Sequence, residues 1–399
     1  MFRGDEMLQV NSFKDTKPEY YLLMNKDKIM FSFKRETFEN KSILSIDTDS
    51  INSFPLGFEN LDELISKRTI IRNRDTVGSY LETIGLVSNF DMVLASYGVS
   101  LTDTLWVKSI DDTTTWGVVN PFSKNFNFDI SWFLDTRTRL QQGRPEYSTD
   151  GNYPKCWKSD DRGGYLLIKC GTSRYYNSGL EPFGEFYTCQ LEKALGMNFV
   201  EYALDVVDYA KFNTVYKQGL FIKEVCDWDL KQTERVVSVC RSFCDENTWL
   251  VPVKNLGIYT YEQLLQEYPE KSVAQQLVLD ALTLNGDRHF GNIGVLVDAD
   301  TQKVKGIAPC YDNNLALLPY FDDRCPESLE DYVCSLGAKT GQSFKSIAEL
   351  AFSYFPELKQ DVKNLKGFKF AKNGRYNFKQ SRLDLLSSVI DRQIGYLTN

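Results

Sequence analysis

The chain has 399 residues, enough for two or three domains and a sizeable core. With 42% hydrophobic and 25% charged residues it reads as an ordinary soluble globular protein. Its formal net charge of −8 argues against a general nucleic-acid binder, because no basic excess exists to neutralise phosphates; a local basic pocket stays open.

Nine cysteines are scattered singly, with Cys240 and Cys244 the closest pair and no second pair at metal-ligand spacing. They read as free core thiols of a reducing cytoplasm. The opening stretch MFRGDEMLQVNSFKD lacks the apolar run of a secretory signal. Nothing approaches the ~20 apolar residues of a membrane span. The expectation is a cytoplasmic protein with no membrane partner and no direct nucleic-acid partner.

Residues 1–130 predict a mixed α/β accessory segment. IDTDSINSFPLGFENLDELI carries turn residues and then a short helix, and RDTVGSYLETIGL, from Arg74, has helical spacing with Gly85 near its end. TLWVKSI and TWGVV read as short strands, rich in aromatic and β-branched residues. Lys67, Arg68, Arg72 and Arg74 read as a solvated face.

Residues 131–228 predict a β-rich lobe. YSTDGNYPKCWKSDDRGGYLLIKCG has turn residues and a strand ending at Lys169. SGLEPFGEFYTCQLEKALGMN predicts a helix, with Pro182 in its first turn and Gly196 at its C-terminal cap. YKQGLFIKEVCDW reads as a further strand.

Residues 229–399 predict a helical lobe. SVAQQLVLDALTL is a helix that stops just before LNGDRHFGNIGVLVD, which holds the only histidine, His289. IGVLVD, ADTQK and VKGIAP read as a hairpin. SIAELAFSYF and FKQSRLDLLSSVIDRQIGYL are helical by period.

The hairpin places chemistry. A strand of about five residues runs ~16 Å out, and its partner runs the same distance back. Asn292, before the first strand, and Asp312, after the second, should therefore meet at one end, beside Asp287. Such hard oxygen ligands suit Mg²⁺, which fills its shell with phosphate oxygens and water. Asp-x-x-x-x-Asn followed by a second Asp after a hairpin is the ligand order of a kinase catalytic loop. Asp287 would accept the proton of an attacking hydroxyl, and Asn292 and Asp312 would hold metal on ATP. Lys169 on its strand and Glu185 on the next helix have the layout of the lysine–glutamate pair that positions phosphates.

NGDRHFGN and GIAPCYDN, with GYLLIKCG and GEFYTCQLEKALGMN upstream, resemble the HipA-like serine/threonine protein kinases, bacterial proteins that are typically toxin or persistence factors. The similarity covers roughly residues 145–399. It implies a two-lobed α+β protein-kinase-like fold with an extra N-terminal α/β segment. It also implies use of ATP and Mg²⁺ on a protein substrate, and it leaves open an antitoxin partner. By resemblance Asp287 is the catalytic base, Asn292 and Asp312 are metal ligands, and Lys169 is the nucleotide lysine with Glu185 its acid. Gly151 to Lys155 resembles the family's phosphate loop. Order along the chain puts the adenine hinge near Lys223, Glu224 and Val225. Ser148 and Thr149, just before Gly151, are candidate autophosphorylation sites.

His289 reads as a loop-ordering side chain, since Asp287 already holds the base role. Asp312 is followed by Asn313 and Asn314, with no long activation segment between Asn292 and Asp312. The order Gly-Asp-Arg-His-x-x-Asn keeps a small-molecule or phosphatidylinositol-type lipid kinase open. A non-catalytic binding protein on a kinase scaffold is the third reading.

Overall fold

The computed structural model describes residues 18–38, 41–69, 89–123, 153, 155–160, 162–172, 178–208, 222–231 and 233–399. The expected helix from Arg74, the arginines 72 and 74, and Ser148, Thr149 and Gly151 lie outside them.

The N-terminal unit begins with an antiparallel sheet of order β3-β2-β1-β4, from β1 (Glu19–Asn25), β2 (Lys28–Phe38), β3 (Lys41–Ile46) and β4 (Leu105–Ser109). Alternation along the strands buries Tyr21, Leu23, Phe31 and Phe33 on one face. Helix α1 (Leu61–Lys67) covers that face with Leu61, Leu64 and Ile65, at helical spacing; its cap Asn60 accepts the Glu63 N–H at 2.9 Å. Helix α2 (Asn89–Ser96) adds Phe90 and Val93.

Two expectations fail here. TWGVV forms the short helix α3 (Trp116–Val119), not a strand. Trp116 and Val119 are buried while Val118 is 67% exposed, a three-residue spacing that a strand cannot give. Arg68 is buried, not solvated: its guanidinium donates to Asp103 at 2.7 Å and to the carbonyls of Gly98 and Leu105.

The second sheet has the order β5-β6-β8-β7, from β5 (Lys155–Asp160), β6 (Gly164–Cys170), β7 (Tyr202–Asp208) and β8 (Glu234–Arg241). Helix α4 (Glu181–Ala194) packs on it. Its ends match the expectation, with Pro182 in the first turn and Gly196 at φ +62 just past the cap. The lobe boundary drawn after residue 228 falls short, because β8 returns to this sheet. Within YKQGLFIKEVCDW the described residues form a helical turn, α5 (Ile222–Val225), not a strand.

The third unit is helical around a small sheet. Strands β9 (Thr248–Pro252), β10 (Gly294–Asp298) and β11 (Val304–Ile307) pair in the order β11-β10-β9. Around them lie α6 (Tyr261–Glu267), α7 (Lys271–Thr283), α8 (Leu329–Ser335), α9 (Phe344–Tyr354), α10 (Glu357–Asn364) and α11 (Gln380–Thr398). Every residue of α7 from Val273 to Thr283 is buried, so α7 is the axis of this lobe. Helix α7 ends at Leu284 with φ +56, and that left-handed residue turns the chain into the Asp287 loop. In the β10–β11 turn, Asp298 Oδ1 accepts from both the N–H and the hydroxyl of Thr301.

The N-terminal unit docks on β9 and on the β10–β11 turn. The Leu250 N–H donates to Thr102 O at 2.8 Å, Trp249 Nε1 to Thr104 Oγ1 at 2.8 Å, and Asn25 Nδ2 to Ala299 O at 2.8 Å. One continuous core runs from Phe31 and Leu64 through Trp249 and Leu277 to Ile390. Seven of the nine cysteines are buried, and Cys325 and Cys334 are exposed. No helix among the described residues is long and apolar enough to cross a membrane.

Candidate active site

Sheet register builds the upper half of the site. Lys155 lies opposite Lys169, and Lys169 opposite Ser238, in one row across β5, β6 and β8. Directly paired residues share a face, so all three side chains point the same way. Helix α4 crosses that face and presents Glu185. Lys169 Nζ donates to Glu185 Oε1 and, at 2.6 Å, to Asp312 Oδ1, while Ser238 Oγ donates to Glu185 Oε2. The Tyr202 ring lies 5.7 Å from Lys169 Nζ, and the Tyr202 hydroxyl accepts the Asp312 N–H at 3.3 Å.

The charges are mutually dependent. Burial alone would discharge Lys169, but Asp312 and Glu185 outweigh it and raise its pKa above the usual lysine value. Burial likewise pushes the Asp312 carboxyl up, and Lys169, Lys155 and Arg288 more than reverse this, holding it well below the usual carboxylate range. Glu185 stays raised by burial, with Lys169 opposing. Asp312 adopts φ +61, the left-handed region that a non-glycine residue occupies at some cost.

The lower half hangs on Arg288, which is buried. Its Nε donates to Asp280 Oδ2 at 2.9 Å, and Nη2 to Asn313 Oδ1 at 2.5 Å. Nη1 reaches both the Asn292 carbonyl, at 3.0 Å, and the Tyr311 carbonyl, at 2.6 Å. A single nitrogen thus ties together the two hairpin ends that carry Asn292 and Asp312. Asp280, on α7, also accepts from Asn285 Nδ2 at 3.0 Å, and Asn285 Oδ1 accepts the Asp287 N–H at 3.3 Å.

His289 bonds within its own loop. Its Nδ1 accepts the Gly291 N–H at 3.0 Å, and its carbonyl accepts the Asn292 N–H at 2.7 Å. Burial, with Lys339 and Lys254 nearby, lowers its pKa below the ordinary histidine value. Asn292 Nδ2 donates to the Asp287 carbonyl at 3.3 Å, which leaves Oδ1 as its acceptor end.

Lys169, Glu185 and Asp312 therefore come together, Lys155 stands beside them, and Asp287 and Asn292 occupy the loop tied to Asp312 by Arg288. Lys223, Glu224 and Val225 do not join the lobes. They form α5, which precedes β8 and bonds to the start of α11: Lys379 donates its N–H to Val225 O and its Nζ to Glu224 O. The connection between the sheets is residues 242–247, because β8 follows α5 in the chain.

Sequence reasoning missed the contacts of Arg288, Asp280, Ser238 and Tyr202, and the Lys339 Nζ that lies 2.5 Å from Asp287 Oδ1. Arg288 stood within the quoted motif; the others carry no local signal. Nor does sequence show that Tyr320 donates to Glu181 Oε1 at 2.9 Å and lies 3.3 Å from the Tyr153 hydroxyl.

A metal fits as a partner of phosphate. Among the described residues no three His, Cys, Asp or Glu side chains are grouped to hold an ion. Asp312 and Asn292 offer one carboxylate and one amide oxygen. That sparse set of hard oxygens suits Mg²⁺ completed by phosphate and water.

The described residues form a mixed α+β fold. No protein-family model matches the chain, and no curated protein matches it. Among solved structures it is similar to the Helicobacter pylori proinflammatory kinase CtkA, at 15% identity and a TM-score of 0.37, over 62% of this chain and 94% of that chain. It is also similar to HipA of the Shewanella oneidensis MR-1 toxin–antitoxin system, solved with HipB and operator DNA. There the identity is 12% and the TM-score 0.45, over 95% of this chain and 99% of that chain.

Proposed function

We propose that the chain is an ATP- and Mg²⁺-dependent protein kinase that transfers the γ-phosphoryl group to a serine or threonine hydroxyl. The observation that carries the reading is Lys169 Nζ held between Glu185 and Asp312, with Lys155 alongside. A buried cation held by two carboxylates from separate elements is costly unless it serves a ligand. Lys169 and Lys155 would contact the ATP phosphates, and Glu185 and Ser238 orient Lys169. Asn292 and Asp312 would hold Mg²⁺, which supplies charge neutralisation on those phosphates when bound.

Asp287 takes the hydroxyl proton. The hydroxyl oxygen bonds to the γ-phosphorus as the bond to the β–γ bridging oxygen breaks, and that electron pair leaves with ADP. The sequence resemblance supports serine/threonine specificity, self-phosphorylation at Ser148 or Thr149, growth inhibition in a cytoplasm, and an antitoxin partner.

Intact mass after incubation with Mg-ATP, beside an Asp287→Asn variant, tests the reading. A gain of 80 Da steps (~80, one phosphate each) in the wild type alone is expected, with peptide mapping to locate them. Label passing to lipid and not to protein would favour the lipid-kinase reading. No transfer and no nucleotide binding would leave a scaffold without catalysis.

A further inference from the structure

The Asp287–Asn292 loop has two basic side chains, and both are engaged within the fold. Arg288 is buried in bonds to Asp280, Asn313 and the carbonyls of Asn292 and Tyr311. His289 is turned back onto Gly291. A cation reaches the loop from elsewhere. Lys339, 52 residues beyond Asp287, places Nζ 2.5 Å from Asp287 Oδ1.

That contact is built by the backbone around it. Ala338 is buried in the main core. The Gly337 carbonyl lies against Gly286, where an added Cβ would come within 3.3 Å of it. The Gly341 N–H donates to Ala338 O at 2.9 Å, with Gly341 at φ +80. The turn closes with Lys339 in its bend, aimed at the one carboxylate that proton transfer would use.

We propose that Lys339 is a further catalytic residue, the cation that contacts the transferred phosphoryl group beside Asp287. The inference rests on the kinase reading above. Charge on the moving group is spread over three equatorial oxygens, and a preorganised ammonium beside the base meets it without reorganisation. The step needs no new reactant. The oxygen–phosphorus bond forms, the bond to ADP breaks, the hydroxyl proton goes to Asp287, and Lys339 keeps its own protons.

The test is the rate of phosphate transfer from Mg-ATP, with dephosphorylated casein supplied as acceptor, from about pH 5 to 9. Wild type, Lys339→Met, Lys339→Arg and Asp287→Asn are compared. Lys339→Met is expected to lose ~100-fold in kcat at every pH, with the KM for ATP within about twofold and thermal unfolding unchanged. Lys339→Arg should recover part of the loss. A Lys339→Met variant that keeps the wild-type kcat, or that loses activity only through a raised KM, overturns the proposal. A wild-type rate no higher than that of Asp287→Asn would instead fail the kinase reading and take this inference with it.

Discussion

Two lysines each hold a carboxylate of the candidate site, in opposite surroundings. The Lys169 side chain is 7% exposed and lies between Glu185 and Asp312; the Lys339 side chain is 52% exposed and, among the described residues, pairs with Asp287. In the buried cluster every charge depends on the others, because removing one leaves its partners desolvated and unpaired. At the exposed pair water replaces a lost partner at little cost. On the proposed kinase reading the first arrangement would make a rigid platform for phosphates and metal. On the same reading the second would keep its cation beside Asp287, open to an arriving substrate.

Lys169→Met should break the comparison hardest. It strands two buried carboxylates, and a loss of ~3–5 kcal/mol in urea unfolding is expected, together with loss of nucleotide binding. A variant as stable as wild type would remove the distinction between the two pairs.

Glu192 sharpens it. This carboxyl lies on α4, buried, with Asn313 Nδ2 at 3.1 Å in place of a lysine. Burial pushes its pKa up to about 7, and Cys310, Asn313 and Arg288 oppose only part of the rise. The native state therefore keeps a proton that the unfolded chain releases. Its contribution is intact below the ordinary value of 4.5 and declines as pH rises towards about 7. Urea unfolding at pH 5 and pH 8 should show wild type losing up to ~3 kcal/mol that Glu192→Gln does not, at ~1.4 kcal/mol per pH unit.

Gly184 is where α4 meets the segment after Asp312. A Cβ there would lie 2.8 Å from Ala316 O and 3.0 Å from the carbonyls of Asn313 and Asn314. Gly184→Ala should cost ~1–3 kcal/mol and slow transfer, since backbone must move and Glu185 is carried away from Asp312. Differential scanning calorimetry and the transfer assay read both effects. The smallest change in stability belongs to Lys339→Met, within ~1 kcal/mol of wild type in the same urea series.

Much of the site was legible. The β10–β11 hairpin follows from two short β-branched runs around a turn, and it brings Asn292 near Asp312 whatever surrounds it. Pro182 and Gly196 delimited α4, which put Glu185 on a helix next to the Lys169 strand. Other parts were hidden. Strand β8 follows a turn of helix that reads as strand, so the lobe boundary and the hinge were misplaced. Arg68 looked like surface until Asp103 and two carbonyls enclosed it.

By itself the sequence determined the local features: the chemistry-bearing side chains, the helix ends, the hairpin, and the order Lys169, Glu185, Asp287, Asn292, Asp312. Those signals come from periodicity and capping, which act over a few residues. Only the tertiary structure decided which charges are paired. Glu185 and Glu192 share one helix and one residue type, yet Lys169 meets the first and Asn313 the second. Partners 52 residues apart, like Asp287 and Lys339, are selected by chain closure and burial, and no spacing in the sequence records them.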